Sequence, residues 1–204
     1  MANRMNPRVL RLTELSLLTA IIVVMAFTPL GYFRVTGLSI TLLQIPVAMG
    51  AVLLGPSAGA FLGGVFGVTS VLQCFGLEPF GTAMFNISPL KWSFVCLASR
   101  ILMGFLVGWI FKGVKKTGVI PLATGAAGFF AAALNTVFYL GLMVLLFANV
   151  DVTYAGVTTH ITPSLAFIIA VISINGVIEA AVATAVGAAV IFPVYKVLNK
   201  RYVA

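Results

Sequence analysis

Long apolar stretches separated by short turns constrain this chain more than any other feature of its sequence. The hydrocarbon core of a bilayer is about 30 Å thick, and a helix of roughly 20 apolar residues crosses it. Only 8% of the residues are charged, whereas a soluble domain has about 25%. We therefore expect an all-α integral membrane protein in which residues 1–204 form a single domain of six transmembrane helices. The predicted spans are approximately 12–31, 39–54, 57–75, 90–111, 119–148 and 164–195.

Basic residues collect before the first stretch, after the fourth and after the sixth. These three places lie on one side of the membrane only if the chain crosses six times. The positive-inside rule makes that side the cytoplasm, so both termini are expected there. The basic residues concerned are Arg4, Arg8, Arg11, Lys112, Lys115, Lys116, Lys196, Lys200 and Arg201. The outer loops are then expected at about 31–38, 76–89 and 149–163.

The second and third stretches meet at Leu54-Gly55-Pro56-Ser57, which is too short for a linker and predicts a tight turn. Beyond it, Gly59, Gly63 and Gly67 continue a spacing of four residues that begins at Gly55. This spacing places the glycines on one face of a helix, where the backbone of another helix can approach closely. We expect this face to pack mainly within the chain.

Four polar residues fall deep inside the apolar stretches, where an uncompensated polar or charged group is costly and is usually functional. Arg100 lies near the middle of the fourth stretch and Asn135 near the middle of the fifth. Asn175 and Glu179 share one face of the sixth, because residues four apart are neighbours on a helix. Arg100 and Glu179 either form an ion pair between helices or contact a ligand directly, and the two readings are compatible.

The outer loops supply candidate walls and a lid for a binding site. Tyr32 and Arg34 lie in a glycine-bounded segment whose composition suits the covering of a small anionic ligand. Asn86, Lys91 and Trp92 lie at the outer mouth of the fourth stretch. Alternatively, the aromatic residues belong to an interfacial belt, and Lys91 extends to lipid head groups.

Several classes of function are disfavoured by what the sequence lacks. It has no Gly-rich loop ending in Lys-Ser/Thr for nucleotide binding. The sole histidine, His160, has no His-x-x-x-His partner, and two cysteines at Cys74 and Cys96 provide no metal-ligand spacing. The net charge of +8 is divided among short clusters and forms no nucleic-acid surface. We expect no enzyme activity, catalytic residue, metal, cofactor or nucleic-acid partner.

Residues 41–70, with Ile45-Pro46 and the Gly55-Pro56 turn, resemble the substrate-binding S components of energy-coupling factor transporters. Arg100 and the Asn175-Gly176-x-x-Glu179 element extend the resemblance over nearly the whole chain. The resemblance implies a vitamin-binding subunit in the prokaryotic plasma membrane. It also implies association with a transmembrane coupling subunit and two cytoplasmic ATPases.

The same resemblance implies a docking surface on the first helix. Members of the family dock through a small-residue Ala-x-x-x-Ala face, and the matching stretch here runs from Ser16 to Ala20. We therefore expect Ser16 and Ala20 to contact the coupling subunit. Serine in place of the first alanine is a departure from the family pattern.

The sequence from Pro29 to Tyr32, running into Leu38–Pro46, looks most like the pantothenate-type members, with riboflavin as the alternative substrate. Pantothenate has one carboxylate, one amide and two hydroxyls, which match basic and amide side chains. Biotin and folate also carry carboxylates. Two other functions stay open, namely a self-contained secondary carrier that uses Glu179 as its proton site and a structural subunit that binds no small molecule.

Overall fold

A computed structural model describes residues 6–35, 38–154, 156–161 and 175–203, and these are predominantly helical. The helices are α1 (Pro7–Ala26), α2 (Gln44–Leu54), α3 (Pro56–Gln73), α4 (Pro79–Ile87), α5 (Pro89–Lys115), α6 (Ile120–Phe147), α7 (Asn175–Val186) and α8 (Phe192–Val203). A π-helical turn, Gly187–Ile191, joins α7 to α8. Two antiparallel hairpins pair β1 (Tyr32–Val35) with β2 (Leu38–Thr41), and β3 (Asp151–Tyr154) with β4 (Val157–His160).

Within the described residues, four helical segments are long and apolar enough to cross a membrane, namely Arg8–Ala26, Pro89–Lys115, Ile120–Phe147 and Gly176–Leu198. The predicted class of helical membrane protein is therefore confirmed. Helix α2 is apolar but has only 11 residues, which gives a length of about 16 Å. Most of α2 is buried inside the bundle, so it serves as a central element. The number of crossings and the side of the termini stay predictions.

The predicted turn between α2 and α3 is confirmed. Gly55 has a φ of +95°, a conformation that residues with a Cβ rarely adopt. Pro56 then begins α3, where a missing N–H costs nothing because the first N–H groups of a helix have no partner within it. The two residues reverse the chain without a loop.

The predicted glycine face of α3 packs against α5. A Cβ at Gly59 would collide with the carbonyl group of Gly104, and a Cβ at Gly63 would collide with the carbonyl group of Arg100. Gly67 lies in the same way against the backbone of Cys96. The two backbones are therefore in direct contact, and this contact determines where α5 holds the Arg100 side chain.

Three loop and span predictions differ from the structure. The predicted second span began at residue 39, but Leu38–Thr41 forms β2, because alternating Leu-Ser-Ile-Thr pairs with β1. The predicted loop 76–89 contains α4, whose N-terminus is capped by the Glu78 carboxylate. Helix α1 ends at Ala26, about five residues earlier than predicted. Residues 162–174 of the predicted sixth span lie outside the described residues.

Buried apolar side chains form two main clusters. The first includes Ile22, Leu43, Phe66 and Met103, and it joins α1, α2, α3 and α5. The second includes Met84, Trp92, Phe147, Val152 and Ile161, and it joins the N-terminal end of α5 and the C-terminal end of α6 to α4 and β3. The second cluster supplies part of the wall of the polar cavity described next.

Candidate functional site

A cavity of about 340 Å³ lies near the β1–β2 hairpin, within the usual size range of small-molecule sites, roughly 300–1,000 Å³. It is lined by strands β1 and β2 and by helices α3 to α7. Its polar lining consists of Tyr32, Thr41, Ser70, Gln73, Glu78, Arg100, Asn135, Thr136, Tyr139 and Glu179. Its remaining lining consists of Cys74, Phe80, Gly81, Trp92, Cys96, Leu140 and Gly176.

Among the described residues of this lining, Arg100 is the only cationic one, and it is 8% exposed. Its guanidinium carbon lies 4.8 Å from the ring centroid of Phe66 and 4.9 Å from that of Tyr139. Its Nη1 donates to the Cys96 carbonyl at 3.2 Å and to Ser99 Oγ at 3.1 Å. Its Nε is buried and has no hydrogen-bond partner among the described residues. Since a guanidinium has five N–H donors, Arg100 retains donors for an anionic ligand.

Glu179 is also 8% exposed and lies on α7 beside the hairpin. Its Oε1 accepts a hydrogen bond of 3.1 Å from the backbone N–H of Thr41, the last residue of β2. Glu179 and Arg100 line the same cavity but do not approach within the 4.0 Å of an ion pair. The ion pair considered from the sequence is therefore absent, and both charges face the cavity.

Of the two asparagines predicted deep in the helices, the structure describes the side chain of Asn135 but not that of Asn175. Asn135 lines the cavity, and its Oδ1 is buried without a hydrogen-bond partner among the described residues. A buried acceptor of this kind normally has a partner, so Oδ1 is available to a ligand or a water molecule. Asn175 is the first described residue of α7, but its side chain lies outside what the structure describes. Its role stays a prediction.

Tyr32 and Trp92, both predicted from the sequence, line the cavity. Burial is the largest effect on the Tyr32 phenol and raises its pKa above the ordinary value of 10.0, so the phenol remains a hydrogen-bond donor at neutral pH. Trp92 is 1% exposed, and its ring meets the Tyr139 ring edge to face at 5.6 Å. Its Nε1 donates to the Cys74 sulfur at 3.3 Å. Trp92 therefore forms a rigid aromatic wall.

Asn86 and Lys91, which were also predicted for the site, do not line the cavity. Asn86 is exposed on α4, and Lys91 is exposed on α5 with its Nζ donating to the Leu146 carbonyl at 3.4 Å. The Arg34 side chain lies outside the described part of the structure, although its backbone belongs to β1. Ser16 and Ala20 are exposed on α1, as a docking surface requires.

Five polar residues that line the cavity were not predicted as site residues. Ser70 and Gln73 lie one turn apart at the end of α3, and this polar pair inside an apolar helix is a signal that sequence reading overlooked. The Gln73 amide donates to the Ala26 carbonyl and so ties α3 to the end of α1. The others are Thr41, Thr136 and Tyr139.

A bundle of apolar helices that encloses a polar cavity beside a short β-hairpin defines a membrane protein that binds a small substrate. Residues 10–192 match the family described as ECF transporter, substrate-specific component. Since the match covers most of the chain, the protein belongs to this family. The predicted family is thereby confirmed.

Two curated relatives share this similarity. The chain is 32% identical over 167 residues to the pantothenate transporter PanT of Leuconostoc mesenteroides, covering 80% of this chain and 78% of the relative. It is 32% identical over 118 residues to the pantothenic acid transporter PanT of Lactococcus lactis subsp. cremoris. The second match covers 53% of this chain and 58% of that relative.

Proposed function

We propose that this S component binds pantothenate from the outside of the cell and delivers it across the membrane with an ATP-driven coupling module. The observation that carries the proposal is Arg100, a buried cation that lines a cavity of ligand size and keeps an unpartnered N–H. A buried charge is costly without a counter-charge, and a carboxylate-bearing ligand supplies one. The names of the two curated relatives support the same substrate.

The lining of the cavity suits the two ends of pantothenate. We assign the carboxylate to Arg100, whose planar guanidinium matches a carboxylate in geometry and charge. The hydroxyl and amide groups are assigned to Asn135, Glu179 and Asn175, which offer acceptors and donors. The methyl groups are assigned to the aromatic wall of Trp92. Tyr32 closes the hairpin side of the cavity and donates from its phenol.

Riboflavin is the weaker substrate assignment. Its flavin ring and ribityl chain carry no carboxylate, so riboflavin would leave the Arg100 guanidinium without a carboxylate at ion-pair distance among the described residues. Aromatic walls such as Trp92 suit a flat ring, but they suit the methyl groups of pantothenate equally well. No observation on the described residues favours riboflavin.

For topology, we propose six crossings in the plasma membrane of a prokaryote, with both termini in the cytoplasm. Four long helical segments supply four crossings, and we assign the other two to the α2–α3 hairpin, in which Leu42, Leu43 and β2 continue the short α2 towards the predicted outer side. The basic residues at the end of α5, including Lys112 and Lys115, support a cytoplasmic location for that end. Labelling of a cysteine introduced at Thr153 by an impermeant reagent on intact cells tests this. Labelling only after permeabilisation would contradict it.

We further propose that the exposed face of α1 at Ser16 and Ala20 contacts the coupling subunit, which in turn holds two cytoplasmic ATPase subunits. Small side chains allow a second helix to approach closely within lipid. On this account the chain hydrolyses no ATP and does not accumulate vitamin alone. Uptake of pantothenate into liposomes by the purified chain without ATPase subunits would establish a secondary carrier instead.

The substrate assignment is tested by the ligand that the purified protein retains. The full chain is isolated in mild detergent and denatured, and the released small molecules are identified by mass spectrometry. We expect pantothenate in an amount close to that of the protein. Recovery of riboflavin, biotin or folate instead would overturn the assignment of pantothenate as the substrate. If protein purified in the presence of pantothenate releases no ligand, the chain is a structural subunit.

A further inference from the structure

A second cavity, of about 540 Å³, lies at the opposite end of the bundle from the hairpins. It is formed where α1, the α2–α3 turn, the last turn of α5 and α8 meet. Val52 and Phe111 form buried apolar parts of its wall. Its residues take no part in the vitamin site.

Three cations line this cavity, and no Asp or Glu does among the described residues. Arg11 is held in place because its Nη2 donates to the Leu54 carbonyl at 3.1 Å. Lys115 is placed over the ring of Tyr195, with its Nζ 5.5 Å from the ring centroid. Lys112 is the third cation. The chain has only four acidic residues, and Glu14 is the one on this part of α1.

Apolar and aromatic groups continue from this cavity along the lipid-facing surface. Trp109 is 55% exposed on α5, and its ring centroid lies 5.0 Å from the Lys112 Nζ. A tryptophan beside a lysine at the end of a transmembrane helix is typical of the level of lipid head groups. Leu12, which is 63% exposed, follows Arg11 on α1. A head group in the cavity would therefore have acyl chains on apolar surface.

We propose that this cavity binds the phosphate of an anionic phospholipid from the membrane leaflet on the basic side. Basic pockets between transmembrane helices are suited to such head groups, and each cation strengthens the attraction to an anionic lipid. Lys112 and Lys115 contact the phosphate, while Arg11 holds α1 against the end of α2 and contributes charge. The same phosphate chemistry exists in free phosphate and in soluble phosphate esters, and the experiment separates these sources.

The full chain in detergent micelles is titrated with dioleoyl-phosphatidylglycerol or dioleoyl-phosphatidylcholine, and bound lipid is counted by native mass spectrometry. The test variant is Lys112→Gln with Lys115→Gln. The matched control is Arg8→Gln with Lys116→Gln, which removes two exposed charges from the same end without touching the cavity. Arg11 is left intact because it holds α1 to α2. Pantothenate affinity and apparent Tm verify that each variant is folded.

We expect the unaltered chain and the control to retain one phosphatidylglycerol in preference to phosphatidylcholine. The test variant should bind it about 30-fold more weakly, since two cations are removed. Equal loss in both variants, or no preference between the two lipids, would overturn the proposal. Displacement of the lipid by inorganic phosphate or glycerol 3-phosphate would reassign the cavity to a soluble anion. Unchanged lipid binding together with impaired assembly with the coupling subunit would reassign it to a protein partner.

Discussion

The backbone N–H of Thr41 donates a hydrogen bond of 3.1 Å to the carboxylate of Glu179, and this bond joins residues 138 positions apart. Thr41 ends the hairpin that begins with Tyr32, and Glu179 lies on α7. All three residues line the cavity. The β1–β2 hairpin and α7 are therefore linked directly at the cavity by this hydrogen bond.

Replacement of Glu179 tests this link. Glu179→Gln retains an acceptor for the Thr41 N–H and removes the charge, so we expect pantothenate affinity to change by less than about threefold. Glu179→Ala removes the acceptor and leaves a partly buried N–H without a partner, which should weaken binding about tenfold. Isothermal titration of both variants measures the difference. If glutamine is as damaging as alanine, the charge of Glu179 itself acts on the ligand.

Replacement of Arg100 tests the assignment of the carboxylate. Arg100→Gln should weaken pantothenate binding by about 10- to 150-fold, because a charge-assisted hydrogen bond is lost. Pantothenol, which has a hydroxyl in place of the carboxylate, provides the matched probe. The unaltered protein should prefer pantothenate strongly over pantothenol, whereas the variant should bind the two about equally. A variant that keeps the full preference would place the carboxylate elsewhere.

Asn135 and Asn86 were both predicted for the site, but only Asn135 lines the cavity, so variants of the two residues test the observed arrangement. Asn135 has a buried, unpartnered Oδ1 in the cavity, whereas Asn86 is exposed on α4 outside it. We expect Asn135→Ala to weaken pantothenate binding about tenfold and Asn86→Ala to leave it unchanged. Both affinities come from the same titration. Loss of affinity in the Asn86 variant alone would mean that α4 closes over the ligand.

The adjacent glycines Gly63 and Gly64 test how α3 positions Arg100. A Cβ at Gly63 would collide with the Arg100 carbonyl, whereas a Cβ at Gly64 would make ordinary contact with Ile101 at 3.6 Å. Gly63→Ala should lower the free energy of unfolding by about 1–3 kcal/mol and weaken pantothenate binding, since α5 must shift. Gly64→Ala should change neither. Thermal unfolding in detergent, with and without pantothenate, measures both effects, and equal behaviour of the two variants would exclude this packing role.

Hydrophobicity and glycine spacing were sufficient to predict the helical membrane class and the packing of the α3 glycine face within the chain, but they did not identify α5 as its partner. Both depend on local regularities, namely apolar length and a four-residue period. The strand β2 was not predictable in the same way, because only Leu42 and Leu43 separate it from the apolar helix α2, and no Gly, Pro or charged residue marks the boundary. Its identity depends on pairing with β1, which is a tertiary interaction.

The candidate site was predicted in part for a related reason. Arg100, Asn135 and Glu179 were recognisable because polar groups deep in apolar stretches are costly. Ser70 and Gln73 were overlooked because they lie at a helix end, where polar residues are ordinary. Lys91 was expected in the site because of its charge and loop position, but the rotation of α5 directs it to the Leu146 carbonyl. The direction in which a helix turns each side chain depends on how the helix packs in the folded protein, so residue type and position in the sequence do not predict it.

Titration of the purified chain with pantothenate, after expression without the vitamin, tests the central claim most directly. The account predicts binding of one pantothenate per chain with a Kd below about 1 μM, and no binding of riboflavin or biotin at the same concentrations. Arg100→Gln in the same titration should abolish most of this affinity. Absence of pantothenate binding by folded protein, or tighter binding of riboflavin, would contradict the account.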